Sequence, residues 1–494
     1  MGLEILILIG GIVLLFSVFL SKAMYRFGIP TLILFLVMGM LAGNSKFGII
    51  EFNDFKLAES IASFALLVII FSGGFDTNWK KAKTNSNVSI ALASVGVFIT
   101  AFAVGLFTKI IIKDFTWLEA LLIGAIISST DAAAVFSILR SKKLNLKNNI
   151  GPLLEMESGS NDPSAYMITI ILIGAITNNG TSIFLTFFLQ VVNGIAIGAL
   201  VGLLGVKIIN KIKLEVDGLY IILSLGLMLL SFGLASYLGG NGFLAVYLTG
   251  IIMGNTNIVY KASLTQFFDG FSWLAQILLF FTLGLFVIPS LLVEALIPGI
   301  LIALFISFVA RPLAVIPIMK IFKKPFKDSI LVSWVGFRGA ASIVFAIFVF
   351  SNNLDKGTYI FDIVFVVAIV SVLMQGLLLV PVAKKLDLIE EEDSSSLKVF
   401  TDYSGAIFTD LLEVHIEHGN EIIGKRIKEL EIPDTILIVL IKRDYEMIPP
   451  RGSREILEDD VLLLAGATKQ DLLDADKKIK GYKRQIEEKN NTLK

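Results

Sequence analysis

Apolar runs of about 20 residues, the length an α-helix needs to cross a bilayer, follow one another along the first 385 positions. They predict thirteen helices, over residues 3–21, 29–45, 57–74, 87–112, 116–139, 150–176, 183–208, 218–238, 241–255, 263–288, 294–319, 328–350 and 360–383. The pattern changes after Leu388. Glu390-Glu391-Glu392-Asp393-Ser394-Ser395-Ser396 reads as an acidic, serine-rich linker. Beyond it, shorter runs predict strands at 412–416, 436–441, 445–448 and 461–464, an amphipathic helix over 421–430 that ends before Pro433, and a helix from Lys469. The fold class is therefore an all-α polytopic membrane protein with a small cytoplasmic α/β domain at its C-terminus. The predicted divisions are a transmembrane domain at 1–385, a linker at 386–402, the small domain at 403–480 and a charged tail at 481–494.

The loops between helices test this count. Nineteen Lys and Arg fall in one alternating set of loops, among them Lys22, Lys80, Arg140, Lys147, Lys211, Lys324 and Lys385, against five in the other, Lys46, Lys56, Lys109, Lys113 and Lys356. Basic loops stay in the cytoplasm, so the N-terminus lies outside, the C-terminal domain lies inside, and the chain is a multi-pass protein of the cell membrane. The first apolar run carries Glu4 and lacks a basic start, so it reads as a retained helix and not a cleaved signal. Thirteen divides as six, one and six. The offset of seven makes matched helices antiparallel, as in the inverted repeats of secondary transporters. Helices 5 and 12 match, and both are broken: helix 5 at Ser128-Ser129-Thr130-Asp131 and helix 12 at Gly336-Phe337-Arg338-Gly339.

Composition narrows the chemistry. Of 494 residues, 55% are hydrophobic and 17% charged, with zero formal net charge, so overall charge points to no nucleic-acid partner. There is no cysteine, which removes disulfides, cysteine nucleophiles and thiolate metal sites. The two histidines, His415 and His418, lie in the C-terminal part, so no histidine metal site fits within the membrane. Glu157-Ser158-Gly159-Ser160-Asn161-Asp162-Pro163 stands out, because it places two acids inside helix 6. A charge at the bilayer centre costs roughly 2.5–3.5 kcal/mol on insertion scales and usually faces a partner or a water-filled path. Glu157 and Asn161, and Ser158 and Asp162, are each four apart and share one flank of the helix. Pro163 frees the Gly159 carbonyl. Thr130, Asp131, Ser158 and Asp162 can supply the oxygens that a dehydrated monovalent cation needs. Asp162 can hold a proton instead, so proton and cation compete for one carboxylate beside the neutral Asn161. That favours one proton per cation. Glu157 is expected to pair with Arg338, holding helices 6 and 12 together. Asp131 also fits the N-cap of a half-helix. Arg311 reads as structural, Asp269 as solvated at the cytoplasmic end of helix 10, and Phe345, Phe348 and Phe350 as packing or lipid-facing residues.

Ser129-Thr130-Asp131, the Glu157–Pro163 run and Gly336-Phe337-Arg338-Gly339-Ala340 resemble the signature segments of the monovalent cation:proton antiporter-1 family, which includes NhaP-type sodium/proton and potassium/proton antiporters. The resemblance spans approximately residues 1–385. It implies thirteen helices with crossed broken helices 5 and 12, a homodimer, elevator-like alternating access and electroneutral exchange of K+ or Na+ for H+. It assigns Asp162 as the carboxylate for cation and proton, with Asn161 beside it, Thr130, Asp131 and Ser158 at the cation site, and Glu157 with Arg338 as the structural pair. One departure is Ser72, in Phe71-Ser72-Gly73-Gly74, where some relatives carry an acid.

The C-terminal stretch 403–480 is similar to an RCK C-terminal (TrkA-C-like) regulatory domain. The resemblance rests on the run from Ile438 to Arg443, on Ile448-Pro449-Pro450-Arg451-Gly452-Ser453 and on Asp459-Asp460-Val461-Leu462-Leu463. It implies dimerisation and a small nucleotide effector, with Arg443, Pro450 and Arg451 as effector-domain candidates. No glycine-rich dinucleotide turn precedes it, and no cofactor is expected. The predicted activity is secondary antiport, not an enzyme reaction, with K+ favoured by analogy to relatives bearing this tail. The alternatives are a ligand-gated cation channel, against which the missing carbonyl filter counts, and a Na+-selective antiporter.

Overall fold

The computed structural model describes residues 3–27, 31–43, 54–142, 144–177, 180, 182–288, 292–352, 354–391, 410–416, 420, 422–430, 432–433, 435–443, 446–466, 471 and 475. The chain forms two compact units, Met1–Glu391 and Glu392–Lys494.

Among the described residues of the first unit, a helix stands, whole or interrupted, at each of the thirteen apolar runs. The first three are α1 (Leu3–Phe27), α2 (Thr31–Ala42) and α3 (Phe55–Asp76). α4 runs as Ser86–Ala91 and Val97–Ile111 on either side of a π turn at Leu92–Gly96. The fifth run is split into α5 (Trp117–Ile126) and α6 (Ala132–Ser141), and α7 (Ile150–Ile176) carries the polar run. α8 (Ile183–Lys211), α9 (Gly218–Tyr237), α10 (Gly242–Gly254) and α11 (Lys261–Phe286) follow. α12 runs as Leu292–Phe305 and Arg311–Ile321 around a second π turn, Ile306–Ala310. The twelfth run is split into α13 (Phe326–Trp334) and α14 (Ala340–Ser351), and α15 (Gly357–Lys385) closes the unit.

Among the described residues, seven helical stretches are long and apolar enough to cross a membrane: Lys56–Asp76, Lys83–Ile111, Ile183–Lys211, Gly218–Tyr237, Lys261–Phe286, Leu292–Ile321 and Gly357–Lys385. α7 has comparable length, but its acids and hydroxyls dilute its apolarity. α1, α8, α9 and α12 expose large apolar side chains such as Phe19, Phe184, Ile222 and Ile297, a surface that suits lipid and not water. Between helices in lipid, close packing takes the place of the hydrophobic effect, and small residues permit it. Gly124 of α5 is one such point: a Cβ there would fall on the Ala101 carbonyl of α4.

Two short strands complete the unit. β1 (Leu144–Leu146), between α6 and α7, pairs antiparallel with β2 (Ile389–Glu391). The predicted linker at 386–402 therefore starts as docked structure. Leu388 is buried, and Leu386 and Ile389 pack on the same core, so the apolar pattern outlasts α15 by several residues.

The second unit holds an antiparallel four-stranded sheet in the order β3-β6-β4-β5, from β3 (Asp410–His415), β4 (Ile436–Arg443), β5 (Glu446–Ile448) and β6 (Val461–Gly466). Alternation puts Ile436, Ile438, Leu462 and Leu464 into a small core with Leu412 and Val414. The amphipathic helix expected over 421–430 is not formed. Ile422–Gly424 is a turn, Gly424 has φ +80, Arg426 bridges to Glu455, and one 3-10 turn spans Ile427–Glu429. Glycine in the left-handed region, where other residues are strained, ends any helix at that point. Most of the helix expected from Lys469, His418, residues 403–409 and the tail 481–494 lie outside the described residues.

Candidate functional site

The interruptions in the fifth and twelfth runs meet. The Asp131 amide donates to the Phe337 carbonyl at 2.8 Å, which joins one unwound segment to the other. Four half-helix ends converge at this junction, and each exposes unsatisfied backbone dipoles. Two side chains answer three of them. Asp131 is the N-cap of α6 and accepts from Ala133 N at 2.8 Å and Ala134 N at 3.4 Å. The same carboxylate lies against Gly339, the N-cap of α14, where any Cβ would overlap it. One acid thus faces the positive ends of both half-helices. At the opposite pole, Arg338 Nη1 donates to the Ile127 carbonyl at 2.6 Å and the Ser129 carbonyl at 2.8 Å, at the C-terminal end of α5. Its amide donates to Ser371 Oγ of α15 at 3.2 Å, and Ser371 in turn donates to Gln375 Oε1 at 2.7 Å.

α7 lies alongside this junction, and its polar run contacts the unwound segment of the fifth run residue by residue. Ser129 Oγ donates to Asp162 Oδ1. Asn161 Nδ2 donates to Thr130 Oγ1 at 2.5 Å. Ser158 Oγ donates to the Thr130 carbonyl at 2.8 Å and accepts from Ala132 N at 3.0 Å. Thr130, Ser158, Asn161 and Asp162 therefore lie together at the junction. Asp131 sits at the same junction with its carboxylate engaged in capping. Ser129, the direct partner of Asp162, was not singled out from the sequence. It lies inside the Ser129-Thr130-Asp131 motif, but a hydroxyl carries no periodicity signal. Asn161 is fully buried, whereas Asp162 is half-buried. Toward the N-terminus of α7, Ser158 and Gly159 are partly exposed and Glu155 is exposed. One turn the other way, Tyr166 packs on Phe243, Phe345 and Phe348 with ring centroids 4.9, 5.9 and 5.7 Å away. Phe345 and Phe348 are thus interior, not lipid-facing.

The predicted Glu157–Arg338 pair is corrected. Glu157 forms its ion pair with Arg311 Nη2 of α12, and the two side chains are 1% and 2% exposed. Arg338 is already committed to the carbonyls that end α5. Arg311 reaches Glu157 by running alongside Gly336, where a Cβ would approach its Nε to 2.9 Å. The signal for Arg311 was there, a cation inside an apolar run, but nothing in sequence chooses between two buried arginines for one acid.

In the second unit, Arg443 makes a two-pronged pair with the buried Asp460, Nε to Oδ1 and Nη2 to Oδ2 both at 2.8 Å, and also bonds the Glu455 carbonyl at 3.0 Å. That holds β4 to the loop before β6, a structural role. Pro450 and Arg451 lie in the turn after β5, where Arg451 N donates to the Pro449 carbonyl at 3.0 Å and Arg454 N to the Arg451 carbonyl at 2.8 Å.

Known proteins match both parts of the chain. The family model for the transmembrane sodium/hydrogen exchanger matches residues 12–385, and the TrkA-C domain model matches residues 411–479. The K(+)/H(+) antiporter NhaP of Alkalimonas amylolytica is 34% identical over 469 residues, covering 94% of this chain and 81% of that protein. The K(+)/H(+) antiporter NhaP2 of Shewanella baltica is 35% identical over 473 residues with the same coverage. A probable Na(+)/H(+) antiporter 2 of Methanocaldococcus jannaschii is 28% identical over 368 residues, covering 71% of this chain and 86% of that one. Among solved structures, the sodium proton antiporter MjNhaP1 of Methanocaldococcus jannaschii at pH 8 shares the fold with TM-score 0.67 at 24% identity, over 78% of this chain and 99% of that one. With broken helices, polar junction and family match in agreement, this chain belongs to the sodium/hydrogen exchanger family of multi-pass membrane proteins and carries a C-terminal TrkA-C domain.

Proposed function

We propose that the protein is an electroneutral secondary antiporter that exchanges cytoplasmic K+ for external H+ by alternating access, with Asp162 as the shared carboxylate. The supporting observation is the position of Asp162: half-buried, bonded by Ser129, and set against the unwound segment of the fifth run. A cation bound there would replace the Ser129 hydrogen bond and take oxygens from Asp162, Thr130, Ser158 and Asn161. The Oδ1 atom of Asn161 is buried and carries no hydrogen bond among the described residues. A proton on Asp162 would displace the cation, which is the exchange. K+ is favoured over Na+ because relatives named for K(+) match at 34–35% identity over 94% of the chain, against 28% over 71% for the relative named for Na(+).

Thirteen membrane crossings in an inverted repeat fit this reading. The paired breaks recur at an offset of seven helices, and so do the two π turns, in the fourth and eleventh runs. Each π turn packs against the other helix, as a two-fold relation requires. With the basic loops inside, the stripe from Glu155 to Asp162 opens to the cytoplasm, and the Tyr166, Phe243, Phe345 and Phe348 rings close the outer path. On this reading the arrangement is the inward-facing one of the exchange cycle. A plasma-membrane dimer whose TrkA-C domain regulates transport through a small nucleotide completes the proposal.

Proteoliposomes with an imposed proton gradient test it. Added K+ should dissipate the gradient in the wild-type protein, with Na+, Rb+ and Li+ ranking selectivity, and Asp162→Asn should abolish the response. Unchanged exchange in Asp162→Asn would remove the site, and a proton gradient indifferent to every alkali cation would remove the function.

A further inference from the structure

The chain that leaves α15 does not run straight to the C-terminal domain. It first turns back and pairs with the loop between the two helices of the ion site. β2 joins β1 in the register Leu144↔Glu391, Asn145↔Glu390, Leu146↔Ile389. Lys147 N donates to the Leu388 carbonyl at 3.0 Å, and Lys147 Nζ meets Asp387 at 3.1 Å. Leu388 is buried in the core of the membrane unit, which anchors the pair. β1 is the connection between α6, which starts at the Asp131 cap, and α7, which carries Asp162. At 1.5 Å per residue each helix is a lever of roughly 15–20 Å from β1 to the site.

The same joint reaches the other broken helix. Asn148 and Asn149 both hold positive φ, 59 and 55, in a turn that only Asn and Gly adopt readily. The turn aims Asn148 Nδ2 at both oxygens of Asp328, at 3.1 and 3.2 Å, in the first turn of α13.

From this geometry we infer that the β1–β2 pair is the mechanical joint through which the C-terminal domain acts on the cation site. A pull or release on the chain after Glu391 is delivered to a loop that connects α6 to α7 and bonds the first turn of α13. The burial of Leu388 keeps the pair closed while it transmits. This rests on the antiport and on the domain regulating it.

The chain's lack of cysteine makes a clean test. Potassium-dependent dissipation of a proton gradient in proteoliposomes is measured for the full chain and for a chain ending at Glu391, each in wild-type, Glu390→Pro and Asn145→Cys/Glu390→Cys backgrounds. Asn145 and Glu390 are both exposed. The Lys147–Leu388 bond sets the ladder phase, which alternates every second residue, so the Glu390 amide falls at a bonded position that proline removes. Loss of residues 392–494 should change the wild-type rate on the order of fivefold. It should leave the Glu390→Pro rate nearly unchanged. The disulfide-closed double cysteine variant should behave as wild type in both lengths, and this arm can still overturn the proposal if Glu390→Pro fails to fold. An equal effect of truncation with and without the pair overturns the joint alone, and a disulfide that erases the effect overturns transmission through a closed pair. Truncation without effect anywhere overturns regulation by the domain, and absence of potassium-dependent exchange in wild type overturns the antiport itself.

Discussion

Glu157→Gln asks which arginine the buried acid serves. Glu157 and Arg311 are 1% and 2% exposed, so neither has water to fall back on. Removing one partner of such a pair strands the other charge and costs about 3–5 kcal/mol. Arg338 keeps its bonds to the Ile127 and Ser129 carbonyls whatever occupies position 157. A double-mutant cycle separates the two. Glu157→Gln and Arg311→Gln should each lose roughly 3–5 kcal/mol, and the double variant should lose less than their sum by a coupling energy of about 2–3 kcal/mol. The cycle of Glu157 with Arg338 should give a coupling energy of no more than about 1 kcal/mol. Arg338→Gln alone should still destabilise, because it strands the carbonyl end of α5. Unfolding of the purified protein in mixed micelles, titrated with a denaturing detergent, reads these values. A larger coupling of Glu157 to Arg338 than to Arg311 would refute the assignment.

Gly339→Ala should insert normally yet abolish exchange, because its Cβ would overlap the Asp131 carboxylate and push apart the two half-helix N-termini; vesicle transport with a parallel expression check reads this. Ser129→Ala removes the hydroxyl that bonds Asp162, and a hydrogen bond to a charged group contributes about 1.5 kcal/mol or more, so the half-saturating cation concentration should shift about tenfold. In the second unit, Arg443→Met strands the fully buried Asp460; with Arg443 itself a quarter exposed, the loss should sit near the lower end, about 3 kcal/mol, seen as earlier thermal unfolding of the C-terminal unit in the full chain.

Helix positions were legible because apolar runs of membrane length carry a strong, local signal. α7 begins and ends where the pattern predicts, Ile150–Ile176. The breaks were legible because Ser-Ser-Thr-Asp and Gly-Phe-Arg-Gly are poor helix interior. What sequence could not reach is choice among equals. Glu157 had two buried arginines within range, and only the geometry of the junction gives Arg338 to the α5 carbonyls. The π turns left no trace, since Leu92–Gly96 is as apolar as its flanks. In the tail, the 421–430 segment has helical spacing, but Gly424 and a bridge at Arg426 give its backbone other partners. The strand at 389–391 was hidden inside an acidic stretch because three residues are too few to show alternation.

The junction also bears on why the proposed transport is an exchange and not a leak. Breaking helices inside a membrane exposes backbone dipoles, and here Asp131 faces the N-terminal ends of both broken helices while Arg338 holds the carbonyl end of α5. Those charges are fixed parts of the scaffold, and Glu157 is balanced by Arg311. Asp162 is the acid of the site left with a hydroxyl alone, Ser129, as its direct hydrogen-bond partner among the described residues. A bare carboxylate moved through a dry barrier is strongly disfavoured. Loaded with a proton or a cation, it is neutral and can pass. In the proposed exchange the empty site is then the form that does not cross, and each passage carries one ion or the other. A permanent cation beside Asp162 would remove that restriction, so under the proposed exchange the pairing of Arg311 with Glu157 also serves the coupling by keeping that charge engaged elsewhere.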